Sequence, residues 1–186
     1  MNALLALWLP ILLSAVVVFV ISSLIHMLFK WHASDYAGLA NEDTVRDAIR
    51  AGNPAPGHYV VPYCTDMKDM GSEAMLKKYR EGPVGHITLA PSGPVNMGKY
   101  LGLWFLWSLA VAVVAAFLAA NLLPMDHAHV RAAAKLVGAL TFIAHGFGTV
   151  SESIWMARPW PASAKNLLDA ALYGVGSGLV FLWLWP

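Results

Sequence analysis

Four long apolar stretches limit what this chain can fold into. Residues 4–29 and 100–123 contain no charged side chain, and residues 129–155 and 162–185 are apolar over a similar length. An α-helix rises about 1.5 Å per residue, so about 20 apolar residues cross the hydrocarbon core of a bilayer. Only 12% of the residues are charged, about half of the roughly 25% found in soluble domains. The sequence therefore predicts an all-α membrane protein built on a four-helix transmembrane bundle.

The four spans divide the chain into three parts. Transmembrane helix 1 is predicted in residues 1–29, a polar loop in residues 30–99, and transmembrane helices 2–4 in residues 100–186. The loop carries most of the charged side chains of the chain, so it is expected to lie in water rather than in lipid.

The loop between spans 1 and 2 also contains signals for regular structure. Asn41 and Ser72 are residue types that cap the first turn of a helix, and each precedes a short segment that ends at a glycine. Residues 58–63 and 86–90 are rich in β-branched and aromatic residues, which is typical of strands. A small cytoplasmic α/β subdomain is therefore predicted in this loop.

Lysine and arginine residues are unevenly distributed between the two ends of the spans. Eight lie between spans 1 and 2 and two lie between spans 3 and 4, whereas the opposite side has only Arg131 and Lys135. Because cytoplasmic loops carry the excess of positive charge, the long loop is predicted to be cytoplasmic and both termini are predicted to lie outside.

Span 3 carries a stripe of polar and small residues. Its members recur at spacings of 4 and 3 and therefore share one helical face: Arg131, Lys135, Gly138, Phe142, His145, Thr149 and Glu152. A charged group that faces lipid is costly, so this face is expected to turn to the bundle interior or to a water-filled cavity. Arg131 and Lys135 form a basic pair at the outer end, where long side chains can extend to the interface.

Ionisable and polar residues of neighbouring spans are expected to face the same stripe. The predicted intramembrane cluster comprises His26, His145, Thr149, Glu152, Asp169 and Tyr173. One hypothesis is that this cluster binds a proton or an ion, because ionisable residues inside a membrane are often functional. The other is that it forms a structural hydrogen-bond network between spans 1, 3 and 4. The sequence leaves both open.

The segment after span 1 contains residues that could bind a metal ion. The segment HMLFKWHASD places His26, His32 and Asp35 within ten residues, and imidazole and carboxylate groups are ordinary ligands of zinc, iron and manganese. Their spacing matches neither H-x-x-x-H nor H-E-x-x-H. No cofactor is therefore predicted, and a metal ion at these three residues is kept as an alternative.

Small residues at helical spacing indicate close packing between helices. Span 4 contains Gly174-x-x-x-Gly178, a spacing that lets two helix backbones approach closely, either within the chain or between two copies. The predicted partners are the lipid bilayer and either further copies of the chain or the other subunits of a larger membrane complex. A net charge of +1 without a basic run argues against nucleic acid.

Several longer stretches resemble an uncharacterised family of small four-span bacterial inner-membrane proteins: HMLFKWHASDYAGL, GHYVVP, GPVGHITLAPSG and RPWPASAKNLLDAALYGVGSGLVFLWLWP. The resemblance covers essentially the whole chain. It implies a four-span topology, a bacterial origin and a location in the inner (plasma) membrane. That family has no assigned activity, so the resemblance transfers no catalytic residue.

Three functional hypotheses follow from these features. The leading one is a non-enzymatic membrane protein with a structural, accessory or assembly role, because no nucleotide-binding or hydrolase motif is present. The second is a small oligomeric transporter or proton- or ion-conducting unit that uses the polar face of span 3. The third is a metal-dependent membrane enzyme with a site built from His26, His32, Asp35 and histidines of the loop.

Overall fold

The computed structural model describes residues 3–186, and within this range four helices are long and apolar enough to cross a membrane. In chain order the helices are α1 (Ala3–Ala6), α2 (Trp8–Ser23), α3 (Glu42–Ala51), α4 (Glu73–Glu81), α5 (Met97–Leu122), α6 (Val130–Trp155) and α7 (Trp160–Leu184), and the strands are β1 (Gly57–Val61) and β2 (Gly85–Leu89). The prediction of an all-α four-span bundle with a small α/β loop is confirmed. The protein is a multi-pass membrane protein.

Two polar residues and a proline explain where three of the long helices begin. The side chain of Asn96 accepts a hydrogen bond from the Lys99 amide at 3.0 Å, and Asp126 accepts one from the His129 amide at 3.1 Å just before α6. These bonds satisfy amides that have no partner in the first turn of a helix. α7 has a proline in its first turn, where the missing N–H costs nothing.

The loop forms a compact unit of its own, made of residues 37–95 together with residues 154–157. Strands β1 and β2 pair in an antiparallel register that sets Tyr59 opposite Ile87. Ser72 caps α4 by accepting a hydrogen bond from the Met75 amide at 3.3 Å. The predicted helices and strands of the loop are therefore present within one or two residues of their expected bounds, but Asn41, at the start of α3, makes no side-chain capping hydrogen bond.

The spans belong to the other compact unit, and an apolar core fills one half of it. The loop-side end of the bundle is the end at which span 1 leads into the loop. The apolar core fills the opposite half. The distal apolar core comprises Leu7, Ile11, Ala112, Ala115, Ala116, Ala119, Ala133, Val137, Val180, Phe181 and Trp185. Its many alanines let the helices approach closely, as is typical where lipid gives no hydrophobic drive for association.

Helices α6 and α7 make backbone contact through glycines. A Cβ atom added to Gly174 would lie 2.6 Å from the carbonyl oxygen of Gly138, and one added to Gly178 would lie 3.0 Å from that of Ala134. The Gly174-x-x-x-Gly178 spacing is thus used inside the chain, so it does not by itself call for a second copy.

Candidate functional site

Span 1 ends in an irregular turn that brings polar side chains onto span 4. Leu24–Phe29 form a π-helical turn, and Lys30 has a left-handed backbone with φ 53°. A 3-10 helix, Trp31–Asp35, follows and contacts α7. π-Helical turns are frequent at functional sites because they redirect side chains from the regular helical face.

Asp169 of α7 is buried where this 3-10 helix contacts it. Its side chain is 6% exposed, and its Oδ2 atom lies 2.7 Å from Nε2 of His32. Its Oδ1 atom accepts a hydrogen bond from Nε1 of Trp31 at 3.1 Å. A buried carboxylate is costly unless it is paired, so these contacts account for an acidic residue within a membrane span.

Asp35 contacts the other ring nitrogen of His32. Its Oδ2 atom lies 2.7 Å from Nδ1 of His32, and its Oδ1 atom accepts a hydrogen bond from Nζ of Lys165 at 2.5 Å. The hydrogen bond from Lys165, and then the one from His32, hold the pKa of Asp35 below its usual value. Asp35 is therefore ionised at neutral pH, and Nδ1 of His32 must be the donor in this pair.

His26 lies next to His32 and adds a further polar side chain to this group. Its ring stacks on that of His32, with ring centroids 4.9 Å apart and ring planes within 8°. Its Nδ1 atom lies 2.9 Å from the carbonyl oxygen of Ser22. A carbonyl only accepts, so Nδ1 carries a proton, and Nε2 offers a lone pair whenever the ring is neutral. One possible ligand atom each from His26, His32 and Asp169 lies within 4.8 Å of the other two.

A cavity of about 780 Å³ lies beside this group, in the loop-side half of the bundle. All four spans line it: the π-helical turn of span 1 contributes His26, α5 contributes Trp104, α6 contributes His145, and α7 contributes Asp169 and Tyr173. A site with an apolar wall and a few converging polar groups is the usual form of a small-molecule site.

His145 lies among three aromatic rings on the wall of this cavity. Its ring centroid is 5.5 Å from that of Trp104, 5.4 Å from that of Tyr173 and 6.3 Å from that of Trp107. Its Nδ1 atom lies 2.9 Å from the Thr141 carbonyl oxygen and must donate to it, which makes Nε2 an acceptor. Within residues 3–186, neither this Nε2 nor the buried Nε1 of Trp104 has a hydrogen-bond partner.

The structure divides the predicted intramembrane cluster. Four of its residues line the cavity: His26, His145, Asp169 and Tyr173. Thr149 instead donates to the Ser163 hydroxyl at 2.8 Å and accepts from the Asn166 amide at 3.3 Å, which links α6 to α7. Glu152 is exposed and accepts a hydrogen bond from Arg158 at 2.6 Å. Thr149 thus has a structural environment, and Glu152 lies outside the bundle interior.

The basic pair lies at one end of α6, and two of the three predicted metal ligands lie close together. Arg131 and Lys135 are exposed in the first turns of α6, at the opposite end of this continuous helix from Glu152. Among the predicted metal ligands, His26 and His32 converge with Asp169, whereas Asp35 contacts the far side of the His32 ring.

Sequence reasoning missed Trp31 and Trp104 as residues of the site, and it did not pair Lys165 with Asp35. Tryptophans near span ends are ordinary interface residues, so their position alone gave no signal. The contact between Lys165 and Asp35 joins residues 130 positions apart, and no local spacing predicts it.

Comparisons with known proteins identify no relative. No protein-family model matches the chain, and no curated protein or solved structure is significantly similar to it. The resemblance to a family of small bacterial inner-membrane proteins stays a prediction, and the geometry of the residues carries the functional proposal.

Proposed function

We propose that this four-span membrane protein binds a small amphipathic molecule with a hydroxyl group in the loop-side cavity. The observation that carries the proposal is that two residues lining the cavity, His145 and Trp104, each have a buried side-chain nitrogen without a hydrogen-bond partner in residues 3–186: Nε2 of His145 and Nε1 of Trp104. Leaving a buried polar atom unpaired costs about 1–3 kcal/mol, so a ligand that pairs with both atoms gains that free energy.

The chemistry of these two atoms selects the polar group of the ligand. Nε2 of His145 can only accept in its neutral tautomer, and Nε1–H of Trp104 can only donate. A hydroxyl group can donate to the first and accept from the second. A carboxylate or a ketone lacks the donor, so these groups fit less well.

The other residues that line the cavity include apolar side chains, which would contact an apolar part of the ligand. Met27, Met97 and Leu101 line the cavity and are themselves exposed, so the cavity opens to the surface of the bundle beside α2 and α5. Exposed apolar residues at a span end face lipid. The volume also falls in the range of about 300–1,000 Å³ that is typical of ligand sites.

Conduction by a single chain is less well supported than binding. A proton or ion path must continue through the opposite half of the bundle, and the distal apolar core fills that half with alanine, valine and aromatic side chains. A charge in such surroundings is costly. The cavity is therefore better suited to holding a molecule than to passing an ion.

We expect the wild-type protein to bind an alkylphenol with bromine on its ring, because the phenol can pair with His145 and Trp104. Bromine quenches tryptophan fluorescence at short range, so titration in detergent should show a saturable loss of emission. Replacing His145 with leucine should weaken binding about tenfold or more, the equivalent of roughly 1.4 kcal/mol. The saturable component should vanish in Trp104→Phe, because this residue is the reporter.

Two controls make this test specific. The methyl ether of the same phenol can accept from Trp104 but cannot donate to His145, so it should bind the wild type as weakly as the phenol binds His145→Leu. Trp107→Phe should keep the saturable component, because Trp107 does not line the cavity. Quenching that never saturates, or that is equal in the wild type and His145→Leu, would exclude the proposed site.

An accessory or assembly role, and association with further copies or with a larger complex, stay predictions. So do the bacterial inner membrane and the cytoplasmic position of the loop. The orientation is supported by the charge distribution, with ten lysine and arginine residues on one side and two on the other.

The single cysteine of the chain, Cys64, allows a direct test of this orientation. It lies in the loop and is half-buried. Because the loop is predicted to be cytoplasmic, a membrane-impermeant maleimide should not label Cys64 in intact spheroplasts and should label it after lysis. In a Cys64→Ser background, a cysteine introduced at the exposed His127 should show the reverse and react in intact spheroplasts. The opposite pattern would invert the orientation.

A further inference from the structure

We propose that His26, His32 and Asp169 bind a divalent transition-metal ion of the Zn²⁺ or Fe²⁺ class at the edge of the cavity, with Asp35 as the residue that orients His32. This site goes beyond the ligand pocket, because its three ligands do not include His145 or Trp104. It stands whether or not the cavity binds a hydroxyl compound.

The contact between His32 and Asp169 needs a cation. Nδ1 of His32 donates to Asp35, so Nε2 carries either a second proton or a lone pair. This Nε2 atom lies 2.7 Å from a carboxylate oxygen of Asp169. Two acceptors at this distance repel each other unless a proton or a metal ion lies between them.

The third side chain favours a metal ion over a proton. A proton is shared by two acceptors, whereas Nε2 of His26 supplies a further lone pair within 4.8 Å of the other two ligand atoms. Two imidazoles and one carboxylate form a common ligand set for zinc and for non-haem iron, with coordination positions left open.

Each ligand is also held by a second residue through its other polar atom. Nδ1 of His26 donates to the Ser22 carbonyl, and Nδ1 of His32 donates to Asp35. Oδ1 of Asp169 accepts from Trp31. Histidine ligands almost always donate their second nitrogen to a carbonyl or carboxylate, which fixes the tautomer and the ring orientation.

Small side-chain movements bring the three atoms to bonding distance. A tetrahedral ion with bonds of about 2.1 Å separates its ligand atoms by roughly 3.4 Å. The pair of His32 and Asp169 must therefore open slightly, and His26 must tilt, because its ring is parallel to that of His32. His26 is exposed on the π-helical turn, so it can tilt without disturbing the core.

The charge of the surroundings suits a divalent cation. The group holds two carboxylates, Asp35 and Asp169, and one lysine, Lys165, so a bound cation offsets the additional carboxylate. His26 and Asp169 also line the cavity, so the open coordination positions of the ion would face the space where a ligand is held.

The test uses the full chain, purified in detergent with an affinity tag that contains no histidine. After chelator treatment, the protein is loaded with Zn²⁺ or Co²⁺, and bound metal is measured by mass spectrometry and by the visible absorption of Co²⁺. The wild type should bind about one ion per chain. His32→Ala and Asp169→Asn should lose it, and Asp35→Asn should bind about 10- to 100-fold more weakly.

His26→Ala keeps the test decisive if the buried variants fail to fold, because His26 is exposed. It should fold normally and still lose at least tenfold in affinity. His86→Ala and His127→Ala change exposed histidines elsewhere and should bind like the wild type. A folded His26→Ala protein that binds as tightly as the wild type, or a wild type that binds no ion, would overturn the proposal in favour of a proton between His32 and Asp169.

Discussion

Replacing Gly174 with alanine is expected to lower the free energy of unfolding of the bundle by about 1–3 kcal/mol, the usual cost of overpacking. The new Cβ atom would lie 2.6 Å from the Gly138 carbonyl oxygen. The obstacle is helix backbone and not a flexible side chain, so α6 and α7 must move apart. Unfolding by SDS or heat in mild detergent, followed by circular dichroism, measures the change. Gly174→Leu should prevent folding altogether.

Two other glycines of the spans provide graded controls. A Cβ atom on Gly176 would meet side-chain methyl groups of Val17 and Ile21 at 2.8 Å, which can adjust, so Gly176→Ala should cost less than Gly174→Ala. Gly148 has no neighbour within 4 Å of that position. Gly148→Ala should be neutral or stabilise the protein by up to about 1 kcal/mol, because alanine favours helix. Equal effects at Gly174 and Gly148 would refute the proposed backbone contact.

The fold was predictable because the bilayer sets the length and composition of each span. An apolar run such as residues 100–123 has few alternatives, and the structure places α5 at Met97–Leu122. In the loop, the capping residue Ser72 correctly predicted where α4 begins. The π-helical turn of residues 24–29 could not be predicted, because its sequence is as apolar as the helix before it.

The candidate site was only partly predictable, since periodicity shows which residues share a face but not what covers that face. Along the stripe of span 3, His145 lies on the cavity wall, Thr149 is bonded to Ser163, and Glu152 is beyond the packed region. The pairing of His32 with Asp169 joins residues 137 positions apart. It depends on the left-handed backbone at Lys30 and on the packing of α2 against α7, and neither is encoded in a local spacing.

Asp169→Ala is expected to lower the free energy of unfolding of the metal-free protein, in which a proton joins His32 to Asp169, by about 3–5 kcal/mol, the usual cost of removing one partner from a buried ion pair. The change leaves Nε1 of Trp31 and Nε2 of His32 without the carboxylate, while the His32 side chain stays only 11% exposed. The contact between the 3-10 helix and α7 should loosen. Unfolding in detergent with a chelator measures the loss.

Asp169→Asn separates the hydrogen bonds from the charge. The amide oxygen can accept from Trp31, and the amide nitrogen can donate to Nε2 of His32, so most of the stability should be kept although metal binding is lost. Asp43→Ala, which removes an exposed partner of Arg46, should leave the free energy of unfolding unchanged. If Asp169→Ala is as stable as Asp43→Ala, the buried carboxylate does not hold the end of span 1 against span 4, and both the hydrogen-bond network and the metal site built on it lose their basis.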